Sequence, residues 1–173
     1  MLLSALLSVS ALASGVLATC GEPTKRICFG PDGGDSQNVD IEDIKYAATV
    51  VRGMIKDPKK NFSGAFWNMP AGDFGCAEWM VEIPDSGTVL TLIKKVSPRS
   101  NSSVLFDDVA NTIDGGPNPT EEQLSKSLLG CGTNGGMIGI QWNSSNPIYT
   151  SERYLATGAK PDGLIMKLVR APN

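Results

Sequence analysis

The chain of 173 residues contains no histidine and has a formal net charge of −3, from 15 basic and 18 acidic side chains. Without histidine, a Ser-His-Asp or Cys-His catalytic pair, a histidine-ligated zinc site and the usual neutral-pH general base are excluded. The mildly acidic balance provides no basic surface for a phosphate backbone, so nucleic-acid binding is not expected.

Residues 1–18 predict a secretory signal peptide, because they form an uncharged run of small and apolar side chains. The run of about 15 apolar residues is short for a membrane span. Val16 and Ala18 suit the two small positions of a cleavage site, so the mature chain should begin near Thr19. We therefore expect a secreted, extracellular protein with no membrane span. A bacterial lipoprotein signal at Cys20 is the alternative, but it would leave three cysteines.

Four cysteines in an exported chain favour two disulfides over a metal site, since their spacing contains no Cys-x-x-Cys cluster. Sequence alone allows three pairings of Cys20, Cys28, Cys76 and Cys131. We expect Cys20 to pair with Cys28 and tie down the N-terminal segment. A bond from Cys76 to Cys131 would then close a loop of about 55 residues and restrict the unfolded chain.

Three Asn-x-Ser triplets are candidate N-glycosylation sites, which have meaning only in a chain that is secreted. All three lie in polar, turn-rich stretches, and they begin at Asn61, Asn101 and Asn143. The triplet at Asn118 is excluded because proline follows it. Three triplets in one small chain also favour a eukaryotic secretory route.

Residues 19–173 have the length of a single domain, and residues 19–39 predict a looped arm because they are rich in Gly, Pro and Asp. The first helix should begin after Asp40, a suitable N-cap that is followed by acidic residues. Apolar residues then recur at steps of three and four until Asp57-Pro58 ends the helix.

Alternating side chains from Ala77 to Ile83 predict a half-buried strand, with residues 88–96 as the returning strand of a hairpin. Helical spacing predicts a second helix over residues 103–113, stopped by Gly115-Gly116. Thr120 and Gln123 have the spacing of a capping box and predict a third helix.

Two apolar runs, residues 137–142 and 164–169, complete the predicted strands, and residues 64–68 are a candidate edge strand. The expected fold class is α+β. It comprises an antiparallel sheet of about four strands, with helices packed mainly on one face, stabilised by disulfides.

The lack of histidine removes many hydrolase mechanisms, but the composition still allows a paired-carboxylate hydrolysis. The available side chains are Glu78, Glu82, Asp107, Asp108 and Asp114. Strand alternation places the two glutamates on the solvent face, and helical spacing places Asp107 and Asp108 on the polar side of a helix. We therefore interpret them as solvated charges and predict no catalytic residue.

Two polar segments are candidate ligand sites. The Asp-rich residues 32–40 could hold calcium, but they lack the spacing and terminal glutamate of an EF-hand loop. The glycine-rich residues 130–136 lack the Lys-Ser/Thr pair of a P-loop, so a turn with positive backbone dihedrals is the preferred interpretation. No metal and no cofactor are predicted.

Aromatic residues raise two further possibilities. Trp67, Trp79 and Trp142 could stack against sugar rings, although core packing is favoured because two of them lie in apolar strand patterns. Residues 143–173, around Tyr149 and Tyr154 with Arg153, could be an interaction site or a loop packed on the domain.

Four segments carry a family resemblance: Gly75–Trp79, Asp107–Val109, Leu129–Gly132 and Gly139–Trp142. With them, the chain resembles small cysteine-containing secreted proteins of filamentous fungi. It is similar in outline to the necrosis-inducing effector and killer-toxin-like α/β sandwiches. The resemblance implies a fungal protein released outside the cell, at a host surface.

Two functional hypotheses follow. The leading hypothesis is a non-enzymatic, effector-like or toxin-like protein that binds an extracellular host protein or a competitor component. The alternative is a cell-wall glycan-binding protein or a carboxylate-dependent glycoside hydrolase. Because the chain has no histidine, we expect its fold and binding to change little between about pH 6 and pH 8.

Overall fold

The computed structural model describes residues 20–73 and 75–172. The predicted signal peptide, residues 1–18, lies outside the described residues. Within them, no helix has the length and apolar character needed to cross a membrane. The predicted α+β class is confirmed, since this part of the chain forms an antiparallel sheet, accompanying helices and two disulfides.

The main sheet has five antiparallel strands in the order β1-β6-β7-β4-β3. Its strands are β1 Ile27–Cys28, β3 Trp79–Met80, β4 Val89–Lys95, β6 Gly136–Gly139 and β7 Leu164–Arg170. The predicted hairpin is confirmed, with Trp79 opposite Ile93, although β3 is shorter than the alternating pattern indicated. The sheet has one strand more than the four expected because β1, inside the predicted looped arm, pairs with β6.

A separate two-stranded ribbon pairs β2 Phe66–Met69 with β5 Ser102–Leu105. The candidate edge strand at residues 64–68 therefore exists as β2, but it joins β5 rather than the main sheet. The prediction of a helix from Ser103 is wrong for its first three residues. All four residues of β5 are buried, and pairing with β2 outweighs the helical spacing of Val104 and Leu105.

The helices are α1 Ile41–Gly53, α2 Phe106–Asp114, α3 Glu121–Lys126 and α4 Glu152–Leu155. The Asp40 side chain caps α1 by accepting a hydrogen bond from the Glu42 amide, as predicted. Thr120 and Gln123 form both bonds of the predicted capping box at α3. Gly115 ends α2 with a φ of 85°, a conformation that glycine adopts without a Cβ penalty.

The core lies between the sheet and helices α1 and α2, because alternate residues of β4 and β7 face the same side. Ile93 and Met166, directly opposite each other, are both 0% exposed and pack with Ile44 of α1. Each such side chain contributes about 2 kcal/mol on burial. On the other side of the sheet, the N-terminal arm places Glu22 against Lys94 at 2.9 Å and Lys167 at 2.6 Å.

The disulfides join Cys20 to Cys76 and Cys28 to Cys131, so the predicted pairing is wrong. Cys28 lies in β1 beside β6, and Cys131 lies in the 3₁₀ segment that leads into β6. Cys20 instead lies next to the residue that follows β4 in the chain. Its amide donates a hydrogen bond to the Val96 carbonyl at 2.8 Å. The arm therefore extends across the sheet instead of closing on itself.

Candidate functional site

An exposed apolar surface lies around β3, the edge strand of the main sheet. Trp79 and Val81 turn towards the protein, so the intervening Met80 points outward and is 54% exposed. Large exposed apolar side chains that share one surface are a common mark of protein interaction sites.

Two clefts meet at Met80. One, of about 400 Å³, is lined by Met54, Trp67 and Phe106 together with residues 80–82. The other, of about 280 Å³, runs over Ile83 towards β4 and shares residues 80–82 with the first. We call this continuous region the Met80 surface and define it by Met54, Trp67, Met80, Ile83 and Phe106.

Aromatic packing supports one side of the Met80 surface. The Trp67 ring meets Trp79 and Phe106 edge to face, each with centroids 6.3 Å apart. Both tryptophans are partly buried against the core, which confirms core packing over a free stacking platform for these two. Among the residues that the structure describes, Glu82 is the single charged one that lines the two clefts.

A second candidate site is a polar cleft of about 310 Å³ beside α2, named here the Trp142 cleft. It contains an aromatic ring, a carboxyl group, a lysine and four amide side chains, contributed by Asp108, Asn111, Gln123, Lys126, Gln141, Trp142 and Asn143. Trp142 packs against the core, as predicted, through an edge-on contact with Tyr149 at 5.4 Å between ring centroids, but it is only half-buried and also lines the cleft.

Asp108 lies at the base of the Trp142 cleft and is only 3% exposed. Its Oδ2 accepts a 2.5 Å hydrogen bond from the Tyr149 hydroxyl, and its Oδ1 accepts one from the Asn143 amide at 3.2 Å. Burial raises the pKa of the Asp108 carboxyl, and these two hydrogen bonds oppose that rise. The prediction of a solvated Asp108 is wrong, because the segment after Trp142 covers it.

The other candidate carboxylates are dispersed. Asp114 accepts two hydrogen bonds from Arg52, at 2.9 and 3.0 Å, and Asp107 lies 3.9 Å from the same guanidinium. Glu78 is exposed, as predicted, and pairs with Lys167 at 2.5 Å. The Trp142 cleft is lined by a single carboxylate, and so is each cleft of the Met80 surface. Paired-carboxylate hydrolysis needs two facing carboxyl groups, and none of these clefts provides them.

The glycine-rich segment forms a turn, as predicted, since Gly132 and Gly135 have φ values of 62° and 65°. In the Asp-rich segment, the Asp32 side chain accepts a hydrogen bond from the amide of the nearby Cys28 at 2.9 Å. Among residues 20–73 and 75–172, no three potential acidic, cysteine or histidine ligands cluster in a way that could hold a metal.

The segment after Asn143 packs on the domain, which confirms the second of its two interpretations. Tyr149 and Tyr154 are 5% and 2% exposed, and the Tyr154 hydroxyl donates to the Ser103 carbonyl at 2.6 Å. Arg153 lies over the Phe62 ring, 4.6 Å from its centroid.

The three triplet asparagines differ in environment. Asn61 and Asn143 are exposed, whereas Asn101 is half-buried and donates from Nδ2 to the Thr157 carbonyl at 3.2 Å. Their glycosylation stays a prediction.

Sequence analysis missed the Met80 surface. Met80 shares its face of the strand with Glu78 and Glu82, which the alternation places on the solvent side, so the same period puts an apolar residue on that surface.

Comparison with protein-family models, curated proteins and solved structures found no match to this chain. The resemblance to fungal secreted proteins therefore stays a prediction.

Proposed function

We propose that this is a secreted, non-enzymatic, effector-like or toxin-like protein that binds an extracellular host or competitor component through the Met80 surface. The observation that carries the proposal is the 54% exposure of Met80 between two clefts with largely apolar linings. An unbranched thioether adapts its shape to a partner, and methionine is enriched at interfaces.

Covering the Met80 surface would contribute favourable free energy to binding. Full burial of a methionine side chain contributes about 1.5–3 kcal/mol, so covering the exposed half of Met80 contributes about 1 kcal/mol. Trp67 and Phe106 add aromatic area that their mutual packing already holds in place, so little side-chain entropy is lost on binding. The separation of the candidate carboxylates supports a binding role over hydrolysis.

The test is affinity capture from host extracellular fluid with the purified, disulfide-intact protein, followed by mass spectrometry of the bound material. Met80→Glu should abolish capture of the specific partner, because it places a charge in the apolar interface. Leu155→Glu is the matched control, since Leu155 is 61% exposed and lies outside both clefts. Circular dichroism should show both variants folded.

Retention of the partner by Met80→Glu at wild-type stoichiometry would refute the assigned surface. Recovery of the same material with heat-denatured protein would refute specific recognition altogether.

A second candidate function is cell-wall glycan binding in the Trp142 cleft. An aromatic ring beside four amide side chains is the combination that stacks on a sugar ring and hydrogen-bonds its hydroxyls. Retention on insoluble chitin or glucan should then fall in Trp142→Phe and Gln141→Ala, and should be unchanged in Trp67→Phe. Equal retention of all three variants would exclude the cleft as the glycan site.

A further inference from the structure

Another cleft, of about 610 Å³, lies where three loops meet at one end of the sheet. The N-terminal arm contributes Thr24, the segment between β4 and β5 contributes residues 96–101 in part, and the segment before β7 contributes Gly158, Lys160, Asp162 and Gly163. Its volume falls in the range of small-molecule sites, about 300–1,000 Å³. We call it the Arg99 cleft.

The charges of the Arg99 cleft are unpaired. Arg99, Lys160 and Asp162 all line it and are all exposed, and none is among the ion pairs of the described chain. In contrast, Arg52, Lys94 and Lys167 each form an ion pair with a carboxylate. Two free cations and one free carboxylate therefore face the same space.

A buried hydroxyl lies close to this cleft. Ser102 is 1% exposed, and its Oγ has no hydrogen-bond partner within the described part of the chain. A Cβ on Gly163 would lie 3.4 Å from this oxygen, with Val96 and Ser100 as its next neighbours. Val96, Ser100 and Gly163 all line the cleft, so this buried hydroxyl lies behind the cleft wall rather than on it.

The Arg99 cleft continues along the N-terminal arm. A neighbouring cleft of about 550 Å³ shares Thr24 and Val96 with it and follows residues 21–24 of the arm. Together the two clefts form an open groove, which suits a linear ligand with several similar units.

We propose that the Arg99 cleft binds an acidic saccharide. A sugar carboxylate would accept hydrogen bonds from Arg99 and Lys160, whose guanidinium and ammonium groups prefer anions of this kind. The Asp162 carboxylate and the Ser100 hydroxyl would bind the ring hydroxyls. The Asp162 charge repels sulfate and a sugar carboxylate alike, but only a saccharide offsets that repulsion with hydroxyls that donate hydrogen bonds to Asp162. This site is distinct from the Met80 surface and from the Trp142 cleft.

The test is isothermal titration calorimetry of the disulfide-intact protein, produced in a host that adds no N-glycans, because Asn101 lines the cleft and a glycan on it would compete with the ligand. The probes are a linear galacturonic acid trimer, the neutral sugar maltotriose and sodium sulfate. The acidic trimer should bind, and its affinity should fall when sodium chloride is raised to about 0.5 M, because salt screens exposed charges. Maltotriose and sulfate should bind far more weakly.

Variants locate the site. Arg99→Ala and Lys160→Ala should each weaken binding of the trimer about tenfold. Lys56→Ala, which removes an exposed lysine outside the cleft, should leave it unchanged.

Asp162→Asn separates the two anion chemistries. It should strengthen binding of sulfate, since the repelling charge is lost, and should strengthen binding of the trimer less, because hydrogen bonds from the ring hydroxyls to the carboxylate are lost at the same time. Equal affinity for the trimer and maltotriose would overturn the proposal. So would an equal loss in Lys56→Ala, or sulfate binding as tightly as the trimer in the unmodified protein. A negative result in these binding experiments would not bear on the Met80 surface, which is a separate proposal with its own test.

Discussion

Replacing Tyr149 by phenylalanine removes one hydroxyl that joins three parts of the fold. The hydroxyl donates to Asp108 Oδ2 at 2.5 Å and accepts from the Leu105 amide at 2.9 Å, and Tyr149 is 5% exposed. The variant leaves a buried carboxylate oxygen and a buried amide unsatisfied. Each costs about 1–3 kcal/mol, so we expect the free energy of unfolding to fall by about 2–6 kcal/mol. Urea denaturation at pH 7 with intact disulfides measures this loss.

The loss should also depend on pH. Burial holds the folded-state pKa of Asp108 above its ordinary value of 3.8, so its contribution to stability is largest at low pH and is lost as pH rises through the folded-state pKa. Tyr149→Phe removes a hydrogen bond that lowers this pKa, and the pKa should rise further. The difference in unfolding free energy between wild type and variant should therefore be larger at about pH 7 than at about pH 4.

Tyr154→Phe is the matched control, because Tyr154 is equally buried but its hydroxyl donates only to a neutral carbonyl, that of Ser103. We expect it to lose about 1–2 kcal/mol, without the pH dependence. A loss in Tyr149→Phe no greater than in Tyr154→Phe, or one independent of pH, would refute the role assigned to the Asp108 contact.

Two further predictions concern the frame of the fold. Mild reduction in native buffer should open Cys20–Cys76 before Cys28–Cys131, because Cys76 is exposed whereas Cys28 and Cys131 are 8% and 5% exposed. Alkylation and peptide mapping would show the order in which the two bonds open, and the reverse order would contradict the prediction. Gly135→Ala should lower the unfolding free energy by at least about 2 kcal/mol, because its new Cβ would lie 2.5 Å from the Leu168 carbonyl oxygen. Gly132→Ala, at a similar φ of 62° with no atom within 4 Å, should show only the backbone strain, and an equal loss in both would remove the collision as the cause.

Features set by neighbouring residues could be predicted from sequence. The Asp40 cap, the capping box at Thr120 and the stop at Gly115 each depend on contacts within a few positions, and all three are present. The hairpin of β3 and β4 likewise follows from alternation on both sides of one turn.

Features set by distant partners could not be predicted. Asp108 has the helical position of a surface residue, and only Tyr149, 41 residues later, turns its environment into a buried one. The strand at Ser102–Leu105 depends on β2, more than thirty residues earlier, which overrides a valid helical pattern. The disulfide pairing follows from the place of β1 next to β6, and cysteine spacing holds no information about that order.

The candidate sites divide in the same way. The outward position of Met80 follows from strand alternation, whereas the Trp142 and Arg99 clefts bring together loops that are far apart in the chain. Thr24, Arg99 and Lys160 have no common pattern in the sequence, and only the sheet order makes them neighbours.

The position of β7 in the middle of the main sheet determines when this protein can fold during its synthesis. β7 is the last strand in the described chain, yet it bridges β4 on one side and β6 on the other, while β1, the first strand, attaches only to β6. Before residue 164 leaves the ribosome, the sheet lacks its centre and the arm has an incomplete surface to cross. Folding of the sheet should therefore wait for β7 and should be slow, since its defining contacts span most of the described chain. Until then Cys28 and Cys131 can be brought together only by the short pair of β1 and β6, so their thiols are open to mispairing until β7 has been synthesised.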